Sequence, residues 1–238
     1  MIITKLSINN NVFLYVESKY KNKINPRIFC SNYLETSSDG IFFYKKDKKN
    51  NIQVELFNKD GSKASFCGNG LIGLSYLLLD DCQQSNVVFN HIKYLIYKDK
   101  NQNFLKIPNL IYFKEIDYKL YLINVGNTHL LRIVDKFSSI YFKNDINNYP
   151  NCNISQVIIK DKFKIKTYER GVGYTSCCGS AAISFYYLLK HLNFNMTKYD
   201  IISRGGKTTI LMKEDMMFLT GRVKKINDYE SSKEKWYN

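Results

Sequence analysis

Along most of the chain apolar and polar residues alternate in short runs closed by polar turns. Such runs are VFLYVES (12–18), IFFYK (41–45), IQVELF (52–57), VVFN (87–90), KYLIY (93–97) and NFLKI (103–107), then YLINV (121–125), HLLRIV (129–134), ISQVIIK (154–160), KIKTYE (164–169), TTILM (208–212) and MFLTG (217–221). Alternation with period two places every second side chain on one face, so these runs predict half-buried strands. Only GLIGLSYLLLDD (70–81) and AAISFYYLLKHL (181–192) have the length and apolar density that predict a helix.

Aligned from the cysteine that precedes each, these two stretches expose a repeat. SFCGNGLIGLSYLLL (65–79) matches SCCGSAAISFYYLLK (176–190): Ser, Cys and Gly recur at the start, and Tyr-Leu-Leu follows at the same offset. A tandem of two similar β-rich units, each wrapped on one helix, accounts for both the length and the strand content. Pro108 and Asn109 interrupt the strand pattern and place the boundary near 108–118. The expected halves are 1–112, with 224–238 a candidate to rejoin it, and 113–223.

Composition narrows the class. A chain of 238 residues that is 45% hydrophobic and 24% charged can bury a sizeable core. The formal net charge of +14 raises nucleic acid as a partner. Arginine, however, is confined to Arg27, Arg132, Arg170, Arg204 and Arg222, while lysine is spread over every segment. An even spread serves solubility rather than a phosphate-binding face, so no nucleic-acid partner is expected. With no 18-residue apolar run and no signal-peptide pattern in MIITKLSINNNVFLYV, the expectation is a cytoplasmic protein without a membrane partner. The six cysteines form no CxxC pair and no Cys/His zinc spacing, so they are read as thiols without a metal.

A Cys-Gly-(Asn/Ser) sequence just before a helix sets the thiol beside the first unpaired backbone N–H groups and the positive end of the helix dipole. That setting lowers a thiol pKa and creates an anion site. The amides of Gly68-Asn69 and Gly179-Ser180 would suit opposite sides of one carboxylate. Inverting a stereocentre next to a carboxylate needs a base on one face and an acid on the other, which a thiolate and a thiol supply without cofactor. A single Cys-Gly would more simply be a buried structural residue; its duplication in both halves favours Cys67 and Cys178 as a pair. Cys30, Cys82 and Cys152 lack that context and are read as structural, and Cys177 as core packing at the repeat's Phe66 position.

With both motifs in hand, the chain resembles the diaminopimelate epimerase family. FNKDGSKASFCGNG (57–70) looks like the family's F-N-x-D-G-S…C-G-N-G, and YERGVGYTSCCGS (168–180) like its Y-E-R-G-x-G-x-T…C-G-[ST]. Weaker blocks follow in the family's order: NNNVF (9–13), SSDGIFF (37–43), VGNTH (125–129) and NCNISQV (151–157). The resemblance implies an α+β fold of two pseudo-symmetric β-barrel-like domains, each around a central helix, and a cofactor-independent reaction. It makes Cys67 and Cys178 the acid and base. Gly68, Asn69, Gly179 and Ser180 would hold the α-carboxylate through backbone N–H groups. Asn11, Asn58, Asn127, Asn153 and Arg170 would bind the far end of the substrate, Arg170 with a bidentate grip on its carboxylate. Glu169 and His129 would contact substrate or assist thiol ionisation.

The chain departs from the family pattern beside these groups. Asparagines replace the glycines before Asn11, and Val12 stands where an acid is usual. Leu71 and Ile72 replace Ala-Arg, Thr128 replaces Pro, Ala181 replaces Gly, and Gly221 lacks the Pro that usually follows it. The expected activity is interconversion of LL- and meso-2,6-diaminopimelate, with an amino-acid substrate as partner, no cofactor and a homodimer as the commonest assembly. Two alternatives stay open: a histidine- or proline-type racemase on the same fold, and an inactive basic binding module.

Overall fold

Each expected strand is present in the computed structural model, which describes residues 1–31, 37–49, 51–64, 66–213 and 215–230. Ser65, the first residue of the repeat, lies outside the described residues. The chain divides into two compact units. One comprises Met1–Phe104 closed by the strand that follows Arg222, and the other is Leu105–Gly221.

In the first unit the hairpin Ile2–Ile8/Asn11–Glu17 is antiparallel, and the chain passes through α1 (Pro26–Cys30) to a parallel neighbour, Gly40–Lys46. Ile52–Asn58 returns antiparallel, and α2 (Gly68–Leu78) leads to the parallel strand Gln84–Phe89, which pairs with Ile92–Asp99. Val223–Glu230 comes back to flank Ile2–Ile8.

The second unit repeats this order. Leu120–Asn124 pairs antiparallel with Thr128–Ile133, and α3 (Ser139–Asn148) crosses to the parallel Asn153–Ile159. Phe163–Glu169 returns, and α4 (Gly179–His191) leads to the parallel Lys198–Ser203 with its partner Gly206–Lys213. Tyr112–Asp117 flanks Leu120–Asn124 as Val223–Glu230 flanks Ile2–Ile8. The repeat seen around two cysteines is therefore a repeat of topology, an α+β pattern of two related barrel-like units, each built around one helix.

The central helices are apolar on all sides because strands surround them. In α2 every residue from Gly68 to Ser75 is buried, and in α4 every residue from Gly179 to Tyr186. Two glycines let the wall press on α2. A Cβ on Gly70 would lie 2.1 Å from the Phe42 ring, and one on Gly73 would lie 2.0 Å from Tyr15 Oη. Those two rings stack at 5.2 Å, and Tyr15 Oη donates to the Gly70 carbonyl at 3.0 Å.

Other elements escaped the sequence pattern. In α3 only Phe142 and Asp145 are fully buried, with Ile146 half-buried beside Phe142, whereas Ile140 and Tyr141 face solvent, so its apolar stripe is narrow. A polar contact adds to this packing, the Arg132 guanidinium donating to both Asp145 oxygens at 2.8 and 2.6 Å. The flanking strands Tyr112–Asp117 and Val223–Glu230 are mostly exposed and barely alternate. Ile2–Ile8 hides behind a fully buried Lys5, and Gly173–Thr175 is too short for a pattern. Cys30 and Cys177 are buried as expected for structural residues, whereas Cys82 is exposed because it sits in a turn with φ +58°. No helix among the described residues is long and apolar enough to cross a membrane.

Candidate active site

Each cysteine of the repeat is the residue immediately before its helix. Cys67 caps α2 in extended geometry, φ −149° and ψ 105°, and its Sγ accepts the Gly70 N–H at 3.4 Å. A donated N–H together with the helix dipole favours the thiolate. The first-turn amides of Gly68 and Asn69 have no acceptor inside the helix and are open to an anion.

The Asn11 side chain reaches this helix start. The hairpin before it turns on Asn9 and Asn10, at φ +50° and +66°, a left-handed pair that asparagine tolerates in place of glycine. Asn11 Oδ1 accepts the Asn69 side-chain amide at 2.7 Å, while Asn69 Oδ1 is buried with no partner among the described residues. Asn11 Nδ2 donates to Asp39 at 3.3 Å, and the same carboxylate oxygen accepts the Val12 N–H at 2.8 Å. Asp39 and Tyr15 are thus site neighbours that sequence reasoning missed. Burial, then the Cys67 charge, raises the Tyr15 phenol well above its ordinary pKa, which marks its closeness to the thiol. Asp39 lies in the SSDG block, which was its available signal.

Asn58 is placed differently. Its amide donates to Ser62 Oγ at 3.0 Å and its backbone N–H to the Ser62 carbonyl at 2.8 Å, within its own turn.

In the second unit Cys178 precedes α4 in the same extended geometry, φ −126° and ψ 115°. Its Sγ lies 3.3 Å from Ser180 Oγ, which in turn lies 2.8 Å from His129 Nε2. His129 has no exposed surface, and burial pushes its pKa down to about 3, so the imidazole is neutral. Its Nδ1 is buried with no partner among the described residues.

Register brings further candidates alongside. His129 pairs with Asn153 across the parallel ladder, and Ile154 pairs with Tyr168, which sets Asn153 beside Glu169. Asn153 Oδ1 accepts the Arg170 backbone N–H at 3.0 Å and ties down the turn that carries the exposed guanidinium. That turn depends on Gly171 and Gly173 at φ +78° and +93°. Tyr174 braces it, with ring centroids 5.3 Å from both Tyr168 and Phe142. Asn127 is half-buried in the hairpin loop before His129, its carbonyl accepting Val125 N–H at 3.3 Å. Among the described residues, those grouped closely enough to approach a cation are Asp81, Cys82 and Asp99, with ligand atoms within 4.8 Å of one another. They belong to none of the candidate positions.

The fold of these two barrel-like units is shared with solved proteins. The structure matches a solved protein from Pseudomonas aeruginosa described as a predicted epimerase with TM-score 0.73, at 11% identity and covering 97% of this chain and 98% of that one. It also matches a hydroxyproline epimerase from Agrobacterium vitis, solved with trans-4-hydroxy-L-proline, with TM-score 0.67 at 10% identity, covering 96% and 91%. In sequence the likeness is to diaminopimelate epimerases. The family model of that description matches residues 3–90, and the diaminopimelate epimerase of Nitratiruptor is 26% identical over 98% of this chain and 99% of its own.

Proposed function

We propose that the chain is a diaminopimelate epimerase that interconverts the LL and meso isomers by exchanging the proton on the α-carbon between two thiols. The observation that carries this reading is the duplicated cysteine at the start of a buried helix, each beside open amide donors. One thiolate removes the α-proton while the amides of its helix start stabilise charge developing on the carboxylate. The other thiol returns a proton to the opposite face, and inversion results.

Incubation with LL-diaminopimelate in deuterated water tests it. Deuterium should enter the α-position as the meso isomer accumulates, and no exchange with any amino acid would overturn the enzyme reading. Cys67→Ala and Cys178→Ala should each lower the rate by about 10²–10⁴-fold.

A second reading rests on Asn58, whose amide is held within its own turn rather than left for a substrate's far end. A racemase of a smaller amino acid would have no use for that end. Exchange with proline or histidine, and none with diaminopimelate, would select it.

A further inference from the structure

Ser180 does more than contribute a backbone amide. The residue is 2% exposed, and its hydroxyl sits between two groups, 2.8 Å from His129 Nε2 and 3.3 Å from Cys178 Sγ. A hydroxyl has one proton and two lone pairs, so it can donate to only one of these two neighbours. The neutral imidazole decides which one. If Nδ1 carried the hydrogen, a donor would be buried without an acceptor, which folded proteins rarely tolerate; a bare Nδ1 lone pair costs less. The hydrogen therefore sits on Nε2 and points at Ser180 Oγ. With that oxygen accepting from the ring, its own proton is free to point at sulfur.

We infer that Ser180 is a positioning residue whose hydroxyl, fixed by the Nε2–H tautomer of His129, donates to Cys178 Sγ and holds Cys178 as the thiolate in the resting protein. The inference deepens the epimerase reading, because it makes Cys178 the base for the isomer whose α-hydrogen faces it. Its physical content concerns the thiol alone.

Alkylation tests it without turnover. The full-length protein is treated with iodoacetamide at neutral pH, and the Cys178 and Cys67 peptides are followed by mass spectrometry. A hydrogen bond to a charged group is worth enough that Ser180→Ala should slow Cys178 alkylation about tenfold, with Cys67 unaffected. Ser180→Thr, which keeps the hydroxyl, should restore the rate. Should Ser180→Ala fold poorly by circular dichroism, His129 supplies the second arm. His129→Gln keeps an N–H donor for Ser180 and should preserve the rate, whereas His129→Leu should lower it. An unchanged Cys178 rate in Ser180→Ala, or in the His129→Leu arm, overturns the inference. If the alkylation pattern holds but no amino acid exchanges its α-hydrogen, the thiolate assignment stands and the epimerase reading fails.

Discussion

A fully buried, neutral histidine links local chemistry to stability. The folded pKa of His129 is about 3, below the ordinary value of 6.5, so between these limits the unfolded chain binds the extra proton. Stability from this group is intact above the unfolded pKa and falls as pH drops toward 3, at up to about 1.4 kcal/mol per pH unit. Denaturant unfolding followed from pH 7 to pH 5 should show that slope, and His129→Gln should flatten it. Arg170 offers a contrasting prediction, since its guanidinium is exposed and only its backbone is tied down. Under the proposed function, with Arg170 gripping the far carboxylate of the substrate, Arg170→Lys should leave unfolding unchanged but raise KM for diaminopimelate about tenfold or more, because an ammonium cannot make a bidentate pair. Cysteines flanked by glycine announced themselves in the sequence. Tyr15 did not, and Asp39 was marked only by the weak SSDG block, because what brings them to Cys67 and Asn11 is strand pairing across distant segments.

Among the elements, legibility followed burial. Strands with one wet face wrote their period into the chain, and the two central helices stood out because strands cover them on every side. Ser139–Asn148 wrote little, since of its own residues only Phe142 and Asp145 are fully buried and Ile146 is half-buried against the same cluster. Asp145 is the buried charged anchor of that attachment, paired with Arg132. Asp145→Asn should destabilise by roughly 2–3 kcal/mol in urea unfolding, somewhat under a fully buried pair because the Arg132 side chain keeps 22% of its surface. Central helices also reverse the usual effect of glycine replacement. On an exposed helix Gly→Ala stabilises by about 1 kcal/mol, but Gly73→Ala would drive a methyl into Tyr15 and should cost about 1–3 kcal/mol. Tyr15→Phe, which removes the hydroxyl at 2.0 Å, should recover part of that loss in a double-mutant cycle.

At the scale of the whole molecule the duplication was readable from two short blocks, while its completeness was not, because the flanking strands carry little apolar signal. The proposed chemistry uses side chains and backbone amides throughout, so deuterium exchange should survive EDTA and hydroxylamine; loss of exchange with either reagent would count against it. The two units differ in how the chain closes them. Thr4 Oγ1 donates to Asp228 at 2.8 Å, joining strands 224 residues apart in sequence. A chain emerging from the ribosome therefore finishes its second unit first. The unit begun earliest stands with the edge of Ile2–Ile8 uncovered until Val223–Glu230 is made, and an open edge is a template for pairing with another chain. The order of synthesis and the order of completion are opposite, and the interval between them is when this protein is most exposed to aggregation.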